Sequence, residues 1–278
     1  MKQILDRLGK LPVLPMVVQE VIRSLGDPDV DAAALGRQIG KDPVLGARLL
    51  RIANSAFYGL SRQVATPHDA IMVMGLSQVR SLVLASGLAH TLPAHANGLD
   101  RKKHWQRSFR VATTAQALAQ ALARLGRGRA AAEPAFTAGM LHNIGELVLD
   151  VCLPEVYAAA REVSRSQGIP PRQAERAALG FDHTEVGGEA ARHWKLPDII
   201  EHAIRHCHDP DVAATAGVSA CVAMACLLDD HAAAGGEGIP PELPAVLRAA
   251  LPLDDATLLA CILDAADAEA AAAMLLGD

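Results

Sequence analysis

The chain has 278 residues, of which 51% are hydrophobic, 21% charged and 3% aromatic, and its formal net charge is −5. That balance excludes a disordered tail, and 26 Lys and Arg against 31 Asp and Glu leave no basic excess for a dedicated nucleic-acid binder. Alanine, the best helix former, supplies about a fifth of the residues, while four Phe, two Trp and two Tyr are little aromatic material for strands.

An all-α chain is therefore expected, and the elements follow in order. The first fifteen residues, MKQILDRLGKLPVLP, interleave charged with apolar positions and lack the uninterrupted core of a signal peptide. Pro15 opens an amphipathic segment, MVVQEVIRSL, that stops near Gly26. Asp31 is placed to cap AAALGRQIG, and Asp42-Pro43 to start VLGARLLRIAN. Asn54-Ser55 with Phe57 and Tyr58 reads as a breaker. Thr66-Pro67 starts a helix ending near Gly75, and Ser77 is expected to cap QVRSLVLASGLAHTL.

The segment PAHANG at 93–98 is the candidate boundary between two sub-bundles. A long helix over about 101–124 follows, then a second from about Pro134 that carries AFTAGMLHNIGELVLDVC without interruption. Further helices fit 154–166, 170–179, 183–194, 197–206 and 217–230, with two Ala/Leu-rich segments after Pro240. This divides the chain into an N-terminal helical sub-bundle (1–95), a second sub-bundle (99–232) and a helical extension (233–278). No run of about 18 apolar residues is free of charge or Pro, so no membrane span is expected. The five cysteines at 152, 207, 221, 226 and 261 form no CxxC pair and read as buried free thiols of a soluble, cytoplasmic protein.

Histidines carry most of the chemistry in the second half. His202 and His206 are spaced i, i+4, one helix face, a geometry that chelates zinc but belongs more often to a core-edge or solvated pair. His142 precedes Asn143 within apolar sequence, and His183 is flanked by Asp182 and Glu185. No phosphate-cradling glycine loop, nucleophile elbow or HExxH motif is present.

Several segments in order resemble the HDOD family of bacterial signalling proteins. They are LPVLPMVV, then D-P-V-L-x-x-x-L-L-R-I-A-N-S-A-F-Y-G (42–59), A-I-M-V-M-G-L-S-Q-V-R (70–80) and A-G-M-L-H-N-I-G-E-L-V-L (138–149). G-F-D-H-T-E-V-G (180–187), W-K-L-P (194–197) and C-H-D-P (207–210) complete the match. The resemblance spans about 8–230. It implies an N-terminal helical sub-bundle packed on one related to HD-type phosphohydrolases, in which an upstream His, a His-Asp pair, further His residues and a late Asp hold divalent metals that activate water.

Carried over position by position, the resemblance puts Arg107 at the upstream His and His142-Asn143 at the His-Asp pair. It puts His183 and then Cys207-His208 at the later His positions, and Cys226 at the late Asp. Asn143 lacks the carboxylate charge that binds hard cations, and Arg107 brings a permanent cation to the place of a ligand. The expected reading is a vestigial pocket with no catalytic residue, no bound metal and no cofactor, in a module that acts by binding a signalling protein partner. Two rivals are a metal-dependent phosphohydrolase with a non-standard ligand set and a pseudo-enzyme that binds a nucleotide or anion through Arg107, His142 and His183. Asn54, Ser55, Phe57 and Tyr58 are the expected partner surface, and residues 251–276 the expected face for self-association.

Overall fold

The computed structural model describes residues 2–9, 13–25, 27, 29–55, 63–92, 98–126, 132–215 and 217–266, and among these there are helices, turns and loops but no strand. Helix α1 (Lys2–Leu8) is followed by α2 (Met16–Ser24), α3 (Ala32–Gly40), α4 (Pro43–Ala53), α5 (Pro67–Met74) and α6 (Leu76–Thr91). Asp31 accepts hydrogen bonds from the Ala33 and Ala34 backbone N–H groups, and Asp42 from those of Val44 and Leu45, so two of the orphan donors at each helix start are satisfied by the residue before it. Thr66 does the same for Asp69 at the start of α5. Ser77, expected to cap α6, lies inside its first turn instead. The cap position is Gly75 at φ 88°, a left-handed bend that joins α5 to α6 with no intervening loop.

The second half starts with the 24-residue α7 (Arg101–Arg124), capped by Asp100, and continues with α8 (Ala132–Leu141) and α9 (Ile144–Cys152). The uninterrupted helix expected from Pro134 is broken: His142 and Asn143 form the turn between α8 and α9, with Asn143 at φ −102° and ψ 16°. Close packing flanks the break on both sides. An added Cβ on Gly139 would stand 2.6 Å from the Ala112 Cα, and one on Gly145 would stand 1.8 Å from the His183 carbonyl oxygen. Only glycine lets α8 press on α7 and α9 press on the following layer.

That layer consists of α10 (Pro154–Gln167), α11 (Pro171–Leu179), α12 (His183–His193), α13 (Asp198–His206), α14 (Pro210–Ala213) and α15 (Gly217–Ala233). Val18, Val21, Ile52, Leu82 and Leu88 from the first half share one continuous core with Phe109, Leu118, Met140, Ile204 and Val222 from the second. Arg80, buried on α6, ties the halves with polar bonds: it donates to the Ser24 carbonyl of α2 and pairs with Glu133 of α8 at 2.7 Å. Helix α1, not anticipated from sequence, places Ile4 and Leu8 against Val148, Tyr157 and Val186 of the second half.

The last described helices are α16 (Ala245–Ala250) and α17 (Asp255–Ala266). The expectation that residues 251–276 form an exposed face for association is corrected for the part described. Leu251 and Leu258 are 0% exposed and join the main core together with Leu253 and Cys261. Their apolar surplus is consumed inside the bundle. Residues 267–276 lie outside the described residues. Among those described, no helix is long and apolar enough to cross a membrane.

Candidate functional site

The turn between α8 and α9 brings Asn143 to the cavity shared with His183 at the start of α12, and His142 to Cys226 in the middle of α15. His142 is fully buried, and its Nδ1 lies 2.7 Å from the Gly139 carbonyl oxygen, so that nitrogen carries the proton and donates. Its Nε2 is buried with no hydrogen-bond partner, and so is the Asn143 Oδ1. His183 is held by Glu175 of α11: one carboxylate oxygen accepts from both the His183 backbone N–H and its Nδ1, each at 2.8 Å. Burial alone would lower the His183 pKa, but this carboxylate, with Glu146 and Asp182 nearby, raises it overall. The His183 Nε2 is likewise buried and unpartnered.

Arg107, on α7, faces the same space. It donates to Asp230 at 2.6 Å and stands 3.7 Å from Asp229, which also accepts from Arg110 at 2.7 Å. Burial works against its charge, yet the surrounding acids leave its pKa above the ordinary arginine value. Across from it, Arg172 pairs with Asp182 at 2.8 Å and donates to the His208 carbonyl at 2.8 Å. Burial opposes ionisation of Glu146, but its 3.0 Å contact with His104, and His183 and Arg107 beyond, hold its carboxyl well below the usual range. Burial, together with the facing charges of His183 and Arg107, pushes the His208 imidazole down to about 3, so it is neutral at physiological pH.

Arg107, Asn143, His183 and His208 thus line one cavity of about 320 Å³, with Glu146, Arg172 and Asp230 completing its wall. His142, Cys207 and Cys226 stand beside it in the core. The Cys207 Sγ contacts the carbonyl oxygens of Ile204 at 3.3 Å and His142 at 3.9 Å. Burial pushes the Cys226 thiol well up, as does the Cys207 thiol beside it, against a smaller opposite effect of His142. All seven positions named from sequence therefore converge on one region.

Five supporting residues escaped the sequence reading. Glu175 lies eight positions before His183, across the Gly180 turn, and only the fold brings it back. Asp229 and Asp230 follow Cys226 by three and four residues, one helical turn, so the i, i+3/i+4 rule was the available signal. Glu146 falls three residues after Asn143 in the same way, and Arg172 gave no signal. The His202–His206 pair is real, with ring centroids 4.7 Å apart, but His202 bonds the Ser219 hydroxyl at 2.7 Å and the pair sits apart from the cavity.

Of the expected partner surface, Asn54 is exposed and Ser55 is not. The Asn54 amide is occupied, donating to the Leu50 and Val64 carbonyls and accepting from the Val64 N–H at 2.7 Å, and Ser55 is buried. Both serve to close the turn after α4. Phe57 and Tyr58 lie outside the described residues.

A stack of helices with no strand among the described residues, and with a His-Asn turn facing a second His and an arginine across a small cavity, is that of an HD-related domain. The chain belongs to the HDOD domain family, whose sequence profile matches residues 11–210. It is 28% identical over 206 residues to an uncharacterized protein of Treponema pallidum (strain Nichols), a match covering 74% of this chain and 39% of the relative; the chain spans about two fifths of that relative's length. It is similar in structure to a candidate phosphohydrolase of Shewanella amazonensis SB2B, with 28% identity, TM-score 0.78 and 99% and 98% of the two chains covered. A candidate signal transduction protein of Marinobacter aquaeolei VT8 matches with 26% identity and TM-score 0.80, over 97% of this chain and 60% of that one.

The divalent cation of an HD-type phosphohydrolase does not fit the donors present. Hard cations take oxygen ligands, above all carboxylates. In the turn facing the cavity stands the neutral amide of Asn143, the Cys226 thiol lies in the core beside it, and the two carboxylates on the wall, Glu146 and Asp230, are already engaged by His104 and Arg107.

Proposed function

We propose that the chain is a non-catalytic HDOD signalling module that acts by binding a protein partner. The observation that carries this reading is the Arg107–Asp230 pair at 2.6 Å on the wall of the His142-Asn143 pocket. A cation fixed there opposes a hard divalent ion in the open cavity, where Asn143 supplies no charge to offset it as a pair of thiolates would. The family membership and the similarity to a candidate signal transduction protein support the signalling class. The nucleotide-binding rival is less favoured, because Arg107 and Arg172 both face the cavity already neutralised by Asp230 and Asp182.

The test is hydrolysis. Purified full-length chain is incubated with a generic phosphodiester and with cyclic dinucleotides in the presence of Mg²⁺, Mn²⁺ or Fe²⁺. No turnover above buffer is expected. Turnover that disappears in His142→Ala overturns the non-catalytic reading.

A further inference from the structure

Beside the cavity, two thiols and an imidazole, donors that suit a softer metal than Mg²⁺ or Mn²⁺, come together. Cys207 Sγ, Cys226 Sγ and one ring nitrogen of His208 all lie within 4.8 Å of one another. Cys207 ends α13 and Cys226 lies in α15, so two separate elements deliver the thiols. The candidate fourth donor, His142, lies next to this trio but outside the 4.8 Å group. His142 contacts Cys226, and its backbone carbonyl contacts the Cys207 thiol.

The state of the His142 ring is the independent sign. It is 0% exposed, and its Nδ1 is committed to the Gly139 carbonyl, which leaves the buried Nε2 facing the Cys226 thiol with no nitrogen or oxygen partner. A metal-ligating imidazole has this arrangement: one nitrogen donates to a carbonyl or carboxylate and thereby aims the other at the metal. His183 also has an unpartnered Nε2, but its ring is held by Glu175 on the cavity wall next to His208, and it is not among the mutually close ligand groups.

We infer that Cys207, His208, Cys226 and His142 form a closed zinc site, a soft-metal centre built beside the cavity of an HD-type fold. Two thiolates and two imidazoles are a common donor set for structural zinc, and they disfavour Mg²⁺ or Mn²⁺. Donors on one tetrahedral zinc stand about 3.3–3.8 Å apart given Zn–S and Zn–N bonds of ~2.3 and ~2.0 Å, so the three closest groups need to draw in by about 1 Å. On binding, each thiol gives up its proton to solvent and each imidazole binds through a lone pair. A site with four protein ligands leaves no position for an activated water. The inference is independent of the partner-binding reading and survives its failure.

The test loads reduced full-length chain with zinc alone, removes the excess by gel filtration and measures metal per chain. One zinc per chain is expected. Cobalt in its place is expected to show the intense ligand-field bands of a tetrahedral ion together with thiolate-to-cobalt charge transfer. Cys226→Ser and Cys207→Ser are each expected to lower zinc affinity ~100-fold or more, since even outer partners of a metal ligand cost 10–100-fold. Cys152→Ser, whose thiol lies in the other core cluster, is expected to keep full loading. Retention by the wild type no greater than by Cys226→Ser overturns the inference. Should the serine variants lose their cooperative melt, the wild-type cobalt spectrum decides, and an octahedral spectrum without charge transfer overturns it.

Discussion

Gly145 is the residue on which the geometry of the pocket turns. A side chain there would place its Cβ 1.8 Å from the His183 carbonyl and 2.7 Å from the Gly187 nitrogen, both backbone atoms that cannot rotate away. Gly145→Ala is therefore expected to push α9 from α12 and to destabilise the chain by about 2 kcal/mol or more, at the upper end of what overpacking costs. Gly217→Ala is the control, because a Cβ at that helix start meets nothing within 4 Å. Its denaturation midpoint should match or exceed that of the wild type, and equal loss in both variants would count against the close-approach argument. At this scale, much of the site was legible. His142, Asn143 and His183 stand inside ordered family motifs, and Arg107 and Cys226 were placed by their neighbours in two helices. Glu175 and Arg172 were not legible, because their partners lie 8 and 10 residues away across turns whose direction only tertiary packing fixes.

Helix α12 shows how an element's start is tied to the site. The Asp182 carboxylate accepts from the Thr184 and Glu185 N–H groups and from the Thr184 hydroxyl, and it pairs with Arg172 at 2.8 Å and Arg176 at 2.9 Å. Burial opposes its charge, but these donors hold its pKa well below the usual carboxylate range. A carboxyl with a depressed folded pKa stabilises fully above its unfolded pKa, ~3.9 for Asp, and that contribution fades as pH falls toward the folded value. The wild type is thus expected to lose stability as pH falls from about 5 to 3 more steeply than Asp182→Asn, which lacks the titrating group. At neutral pH the variant should be less stable by at least ~2 kcal/mol, from the lost charged hydrogen bonds. Parallel slopes for the two proteins in urea titrations across that window would contradict this. Helix spans were readable wherever an Asp-Pro, Thr-Pro or Gly boundary punctuated them, as at α4, α5 and α11. The break at His142 was not, since apolar residues continue through it, and the close approach of Gly145 to His183, 38 residues further on, exists only in the folded chain.

On the scale of the whole molecule, the C-terminal helices are structural parts of the bundle. Sequence composition flagged residues 251–276 as too apolar for a solvent-facing helix, which was sound, but composition does not say whether the covering surface comes from another copy or from the same chain. The fold answers for the described part: α16, α17 and the turn between them insert Leu247, Leu251, Leu253 and Leu258 into the core that also holds Leu118 and Val222. A buried Leu contributes about 1.5–3 kcal/mol, so four of them amount to roughly 6–12 kcal/mol, as large as the whole net stability of an ordinary domain. Removing residues 240–278 would strip that surface from α7 and α15 and leave their apolar faces in water. The truncated chain is expected to lose its cooperative thermal transition and to bind a hydrophobic dye at temperatures where the full chain does not. If the truncated chain instead melts as sharply as the full one, with its midpoint unchanged, then α16 and α17 contribute nothing to the core and the packing described for them is wrong.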